Sequence, residues 1–277
     1  MDNSAQIDYW NGPAGEKWVR DADRLDRMLA PFADAVIAPV KFVPGQKVLD
    51  VGCGAGALSL GIEAAAVNVA ITGVDVSEPL IALARSRAQA VSARSEFVVA
   101  DAAAWQPKEP VDAVVSRFGV MFFEDPAGAF LNLRMATKPG GQLSFACWRP
   151  LPENDWAMMP LQCALPFLKE APQMPEPGAP GPFSFGDAGY VTDILTRSGW
   201  REVTIAPWDG EISLPGASPA ETAAFMIEIG PLTRLIKEQA LEEAAILEAV
   251  EAGLKERAGT DGRTRLKAAA WIIGARA

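Results

Sequence analysis

The clearest pattern in the chain is a run of apolar segments separated by stretches of helical periodicity. Val48, Leu49 and Val51 form a short apolar run suited to a strand buried on both faces. Similar runs recur at 70–75, 96–100, 111–116 and 141–148. Between them, 56–66, 78–91 and 126–137 carry helical patterns. Ser77, Glu78 and Pro79 make a good helix start, with serine as cap and proline in the first turn. Lys138-Pro139-Gly140-Gly141 should stop the helix from Pro126 and turn the chain. Strand and helix in alternation predict a doubly wound α/β sheet.

The flanks carry different patterns. Leu25, Met28, Leu29 and Phe32 recur at helical spacing, so Asp21 to Ile37 should be an amphipathic helix. Ahead of it, Tyr9, Trp10 and Trp18 place large rings on both sides of Asn11-Gly12-Pro13. This aromatic content opposes a disordered tail, and a helical segment packed on the domain is one reading. Pro150 to Pro182 interleaves prolines with Trp156, Met158, Met159, Leu161, Leu165, Phe167 and Leu168, which implies a short helix and a packed loop. A helix over Asp187 to Arg197 and an edge strand over Trp200 to Trp208 follow. Ala220 to Arg257 reads as two helices broken at Gly230-Pro231, and Ala268 to Ala275 as a last strand. Leu232, Leu235, Ile236, Leu247, Val250 and Leu254 form an apolar stripe, which suits core and leaves a homodimer contact open. The helix-borne Arg85, Arg87 and Arg94 are expected on a solvated face.

Chemistry enters where the strands end. Asp50 interrupts the first run and is followed by Gly52, Gly54 and Gly56, a turn that brings backbone close to a ligand at a strand's carboxyl end. The second and third strands end in Asp75 and Asp101. Three acids converging on one crevice suit a nucleotide ligand, either NAD(P) or S-adenosylmethionine. Gly52-x-Gly54-x-x-Ala57 satisfies the looser dinucleotide fingerprint. Asp50, however, would repel a pyrophosphate, whereas S-adenosylmethionine carries an ammonium and a sulfonium. Charge therefore favours the methyl donor.

VLDVGCGAG, GVDVS and VVADA, in this order and spacing, resemble the first three motifs of the class I S-adenosylmethionine-dependent methyltransferases. VVSRFGVMFFEDP, KPGGQLSFACWRP, GPFSFGDAGYVTDILTRSGW and AAAWIIGARA are similar to a group of bacterial small-molecule methyltransferases, so the resemblance spans almost the whole chain. It implies a Rossmann-like, seven-stranded doubly wound sheet with helical insertions and one antiparallel strand. It also implies that Asp50 and the Gly52/Gly54 backbone hold the methionine part. Asp75 would take the ribose hydroxyls, Val76 would pack on adenine, and Asp101 with Ala102 would read its edge. The expected parts are a helical cap over 1–40, a cofactor-binding core over 41–150, a lid over 151–183, and the rest of the same domain over 184–277.

Composition narrows the chemistry. The chain has 277 residues, 49% of them hydrophobic, enough for a full core. A net charge of −10 opposes nucleic-acid substrates. Cys53, Cys147 and Cys163 have no metal-ligand spacing, so no metal is expected. Lacking a signal-like start or an apolar run of ~18 residues, the chain is expected in the cytoplasm, free of membrane. There is no histidine, which removes the commonest general base. Methyl transfer tolerates that, because positioning supplies much of the rate. Tyr9 and Arg117 are the candidate catalytic residues, and Arg117, just beyond the fourth strand, also suits binding of Asp50 or of an acidic substrate. Trp10, Phe118, Met121, Trp148 and Trp156 are the candidate acceptor pocket, though the rings and Met121 suit core as well. The reading is methyl transfer from S-adenosylmethionine to a small, largely apolar molecule. NAD(P)-dependent oxidoreduction and cofactor binding without catalysis are the alternatives. The first lacks a histidine and a Tyr-x-x-x-Lys pair.

Overall fold

The computed structural model describes residues 3–66, 68–172, 178–257, 259 and 263–277. Residues 1 and 2 of the expected cap and 173–177 of the expected lid lie outside them. Three helices come first: α1 (Ser4–Asn11), α2 (Pro13–Arg20) and α3 (Ala22–Ile37). The alternating region is β1 (Lys47–Val51), α4 (Ala57–Ala65), β2 (Ala70–Asp75), α5 (Glu78–Ala90), β3 (Glu96–Val99), β4 (Val111–Arg117), α6 (Pro126–Met135) and β5 (Thr137–Trp148). After it come α7 (Asp155–Ala164), α8 (Ala188–Arg197), β6 (Arg201–Ser213), α9 (Pro219–Glu228), α10 (Pro231–Glu238), α11 (Glu243–Lys255) and β7 (Arg265–Arg276).

The strands form one sheet in the order β3-β2-β1-β4-β5-β7-β6. β1 to β5 pair in parallel, while β7 runs antiparallel to β5, Phe145 opposite Ile273. β6 lies at the edge, as its alternating pattern predicts. β1 and β4 are central, and their near-continuous burial reflects cover on both faces. Helix starts follow local chemistry. The Ser77 hydroxyl accepts from Leu80 N–H at 3.4 Å, and Asp125 accepts from Gly128 N–H at 3.0 Å ahead of Pro126.

Two expectations change here. The Lys138-Pro139-Gly140-Gly141 stretch does not divide a helix from a strand; it lies inside β5, which begins at Thr137. Thr137 faces Val111 and Gln142 faces Ala113, so the intervening residues form a bulge that tolerates proline. Gly140 and Gly141 are tied to the end of β7 through Ala277, by bonds of 2.8 and 2.9 Å. The region after Gly230 also holds two helices, α10 and α11, because the chain breaks again at 239–242.

The chain falls into two compact units. One comprises Met1–Trp148, Gly178–Trp208 and Ala270–Ala277; the other comprises Arg149–Pro177 and Asp209–Ala269. In the second unit α11 packs on α7 and α9, burying Ile246, Val250 and Leu254. There the Asn154 side-chain oxygen accepts from Trp156 Nε1 at 3.1 Å and from Ala269 N–H at 2.9 Å. Among the described residues no helix is long and apolar enough to cross a membrane.

Candidate active site

The first unit carries a cavity at the carboxyl ends of β1, β2 and β4, roofed by α1 to α3. With its open mouth it holds about 1080 Å³ of empty space. The turn after β1 forms its floor. Gly52 has φ +64°, and a Cβ there would lie 2.6 Å from Gly119 Cα, so only glycine fits. The close approach is held by Ser116, whose hydroxyl donates to Val51 O at 2.7 Å and accepts from Gly119 N–H at 3.1 Å.

Three carboxylates line the cavity in distinct states. Asp50 is 1% exposed. Ser59 donates to its Oδ2 at 2.6 Å, while its Oδ1 has no hydrogen-bond partner. Burial pushes the Asp50 carboxyl up to about 6, against the pull of Ser59 and Arg117. Asp75 is partly exposed at the tip of β2, where its two oxygens accept from Gly54 N–H at 2.8 Å and Ser77 N–H at 2.9 Å. Burial raises Asp75 as well, offset in part by those N–H groups. Asp101 accepts from Ala103 N–H at 2.9 Å and from Asn3 Nδ2 at 2.9 Å.

The remaining lining is mostly apolar. α1 and α2 contribute Trp10 and Trp18, α3 contributes Leu25 and Leu29, and the segment after β4 contributes Phe118, Phe122 and Phe123. Trp10 packs edge-on against Trp18 at 5.6 Å and Phe122 at 5.3 Å. α1 is fastened to the loop after β2: Ser77 Oγ donates to Trp10 O, and Asn11 bonds both Val76 O and Glu78 N–H. Phe118 has φ +64°, a conformation that costs a non-glycine residue roughly 1–3 kcal/mol. It is held there by Trp148, stacked on it at 4.1 Å, and by Phe32 at 4.9 Å.

Of the residues singled out from sequence, Trp10, Asp50, Gly52, Gly54, Asp75, Val76, Asp101, Ala102, Arg117 and Phe118 come together around this cavity. Tyr9 does not. It is 57% exposed, set edge-on to Trp10, and absent from the lining, because the helical turn that directs Trp10 inward directs Tyr9 outward. Met121 and Trp148 are buried behind the wall, Met121 with its sulfur 3.4 Å from Trp148 N–H. Trp156 belongs to the second unit. Arg117 pairs with Asp26 of α3 at 2.7 Å, and Asp50 feels its charge without a direct bond.

Sequence reasoning missed several residues. Asp26 links Arg117 to Arg87 at 2.8 Å, and Arg87 also reaches Asp23 and Ala55 O. Arg87 is therefore no solvated-face residue, whereas Arg85 and Arg94 are exposed as expected, Arg85 also donating twice to Phe97 O. Helical spacing marked the buried side of α3 and α5 but could not mark which charges on their flanks would meet. Asn3, Gln6 and Trp18 also line the cavity; their only signal was the aromatic richness of the segment.

The residues suit S-adenosylmethionine. The unpartnered Asp50 oxygen is matched to an ammonium, and Asp75 keeps lone pairs for hydroxyls. Among the described residues that line the cavity the cation is Arg117, and it pairs with Asp26, a poor setting for a pyrophosphate. Among the described residues no cluster could hold a metal ion.

Comparison with known proteins agrees. A family described as a methyltransferase domain matches residues 48–141. The demethylmenaquinone methyltransferase of Thermus thermophilus is 32% identical over 156 residues, covering 53% of this chain and 70% of that protein. The trans-aconitate 2-methyltransferase of Klebsiella pneumoniae is 30% identical over 192 residues, covering 68% and 69%. In fold, the chain is similar to Haemonchus contortus phosphoethanolamine N-methyltransferase 2 in complex with S-adenosylhomocysteine. That likeness has a TM-score of 0.52 and 17% identity, covering 88% of this chain and 51% of the other. A seven-stranded sheet with an acid at each donor-side strand end, and relatives matched over two thirds of their length, lead to one conclusion: the chain belongs to the class I S-adenosylmethionine-dependent methyltransferases.

Proposed function

We propose that the chain transfers the methyl group to a small, largely apolar acceptor bound in the same cavity. The observation that carries this reading is the wall of Trp10, Trp18, Leu25, Leu29, Phe118 and Phe122, which leaves few polar groups for an acceptor to satisfy. Arg117 is already paired with Asp26, so it does not offer a free cation to an acidic acceptor. When bound, S-adenosylmethionine supplies an electrophilic methyl group on a sulfonium. The protein's part is to orient and to exclude water. Asp50 balances the ammonium, Asp75 holds the sugar, and the rings keep solvent from the reacting centre. Cys53 also lines the cavity, but burial and the neighbouring Asp50 and Asp75 push its thiol well up, so it stays protonated and is a poor nucleophile. Arg117 with Asp26 is one polar pair on the cavity wall that an acceptor could contact.

A panel of small phenols, thiols and amines, set beside polyanionic acids and nucleic acids, tests the reading. Release of S-adenosylhomocysteine should be saturable with neutral apolar acceptors and absent with the polyanions. Turnover restricted to acidic or macromolecular acceptors would overturn it.

A further inference from the structure

A fourth carboxylate reaches the cavity from its roof. Asp26 lies on the face of α3 that carries Ala22, Leu25 and Leu29, and all four residues line the cavity. Its carboxylate is fixed on both sides: Oδ1 accepts from Arg117 at 2.7 Å and Oδ2 from Arg87 at 2.8 Å. Arg87 is itself anchored, to Asp23 of α3 and to Ala55 O in the turn after β1. A carboxylate offers about four lone-pair sites, so each Asp26 oxygen keeps one beyond its arginine. The side chain remains 23% exposed.

The donor does not use this group. Asp75 and Asp50, at the ends of β2 and β1, match its sugar and its ammonium, and β4, which ends at Arg117, is next to β1 on the side away from β2. The other charge at the donor's ammonium end is a carboxylate, which Asp26 repels. An anionic hydrogen-bond acceptor in a largely apolar wall serves a neutral partner that brings its own hydrogen. Methylation of an O–H or S–H group requires that such a hydrogen leave as a proton. The chain has no histidine, Cys53 stays protonated, and Tyr9 is turned away from the cavity.

We propose that Asp26 is a catalytic residue, which accepts the hydrogen bond of the acceptor's O–H or S–H and takes that proton as the methyl group moves. The acceptor's oxygen or sulfur forms a bond to the methyl carbon. The bond from that carbon to the donor's sulfur breaks, leaving its electron pair on a neutral thioether. The proton passes to Asp26 and then to water at the cavity mouth. Arg117 and Arg87 are positioning residues that aim the carboxylate. The assignment rests on the small-acceptor reading and narrows it to neutral alcohols, phenols and thiols; an amine attacks through its lone pair and needs no base.

The test uses S-adenosylmethionine with phenols, from alkyl- to dinitro-substituted, and the matching thiols. Some members are then neutral at the assay pH and others already ionised. Asp26→Asn should lower kcat for the neutral members about a hundredfold or more, the range of general base catalysis. The ionised members have no proton to lose and meet a like charge in the wild type, so their kcat/KM should hold or rise. Both classes are read on one folded variant, so a mere loss of packing would lower them alike. Affinity for S-adenosylhomocysteine should barely change. In the wild-type protein, kcat for the neutral members should fall in deuterium oxide, and kcat for the ionised members should not. Equal loss for both classes, no loss, a loss explained by donor affinity, the same solvent isotope effect in both classes, or turnover confined to amines overturns the assignment. Turnover of no phenol, thiol or amine would instead overturn the small-acceptor reading.

Discussion

At 1% exposure, the Asp50 carboxylate has one oxygen on Ser59 and the other facing the cavity without a partner. Its carboxyl titrates at about 6 in the folded chain, against about 3.9 when unfolded. Between those values the folded state holds a proton that the unfolded state has lost. Asp50 therefore makes the ligand-free protein less stable as pH rises through that window, by up to about 1.4 kcal/mol per unit. Donor binding runs the other way, because an ammonium prefers the ionised acid. Affinity for S-adenosylhomocysteine should fall by up to about tenfold per pH unit below about pH 6, with a proton released on binding. Calorimetry near pH 5 in two buffers of different ionisation enthalpy reads that proton, and Asp50→Asn should abolish it. A flat affinity between about pH 5 and pH 7 would refute the assignment. Asp75 makes a separate prediction. Asp75→Ala should weaken the same ligand by roughly 1.5–3 kcal/mol, the scale of hydrogen bonds to a charged group. Unchanged affinity would leave Asp75 with only its backbone bonds to Gly54 and Ser77.

Among the elements, α1 and α2 are the ones whose stability should depend on the ligand. α1 buries no residue fully, and α2 buries only Gly15. Gly15 is needed there, since a Cβ would lie 2.0 Å from Trp10 O. Hydrogen bonds to Ser77, Val76, Glu78 and Asp101 and the Trp10 ring contacts are among the interactions that hold the pair. Elements with so little buried surface open at low cost. Amide exchange over residues 4–20 should be fast in the free protein and slow with S-adenosylhomocysteine. α3, with Phe32 and Val36 fully buried, should be protected in both states. Equal exchange of 4–20 with and without ligand would show that α1 and α2 are fixed packing and no gate.

Across the whole molecule, the choice between donor and dinucleotide is an electrostatic one. The chain carries a net charge of −10, and three of its acids, Asp50, Asp75 and Asp101, line the cavity. S-adenosylhomocysteine at ~100 times its dissociation constant should stabilise the protein by about 2.7 kcal/mol in thermal unfolding, and NAD or NADP should leave it unchanged. Stabilisation by the dinucleotides would contradict the site as described.

The sheet and its donor end were legible in the sequence because their signals are local. Continuous apolar runs mark strands buried on both faces, and an acid closing such a run has nowhere to go but the crevice. Asp50, Gly52, Gly54, Asp75 and Asp101 could thus be named without coordinates. Residues whose role depends on distant partners could not. Asp26 meets Arg117 across 91 positions, and Asn3 meets Asp101 across 98. Composition showed only that the segment around Tyr9 and Trp10 is too aromatic for a disordered tail. Which of two adjacent rings entered the cavity was decided by how α1 docked on the loop after β2. The bulge in β5 belongs to the same class: proline and paired glycines read as a turn until pairing with β4 and the tie to Ala277 keep the strand intact through them. Local chemistry sets elements and their ends; tertiary contact decides which side chains share a site, because that depends on where separate elements meet.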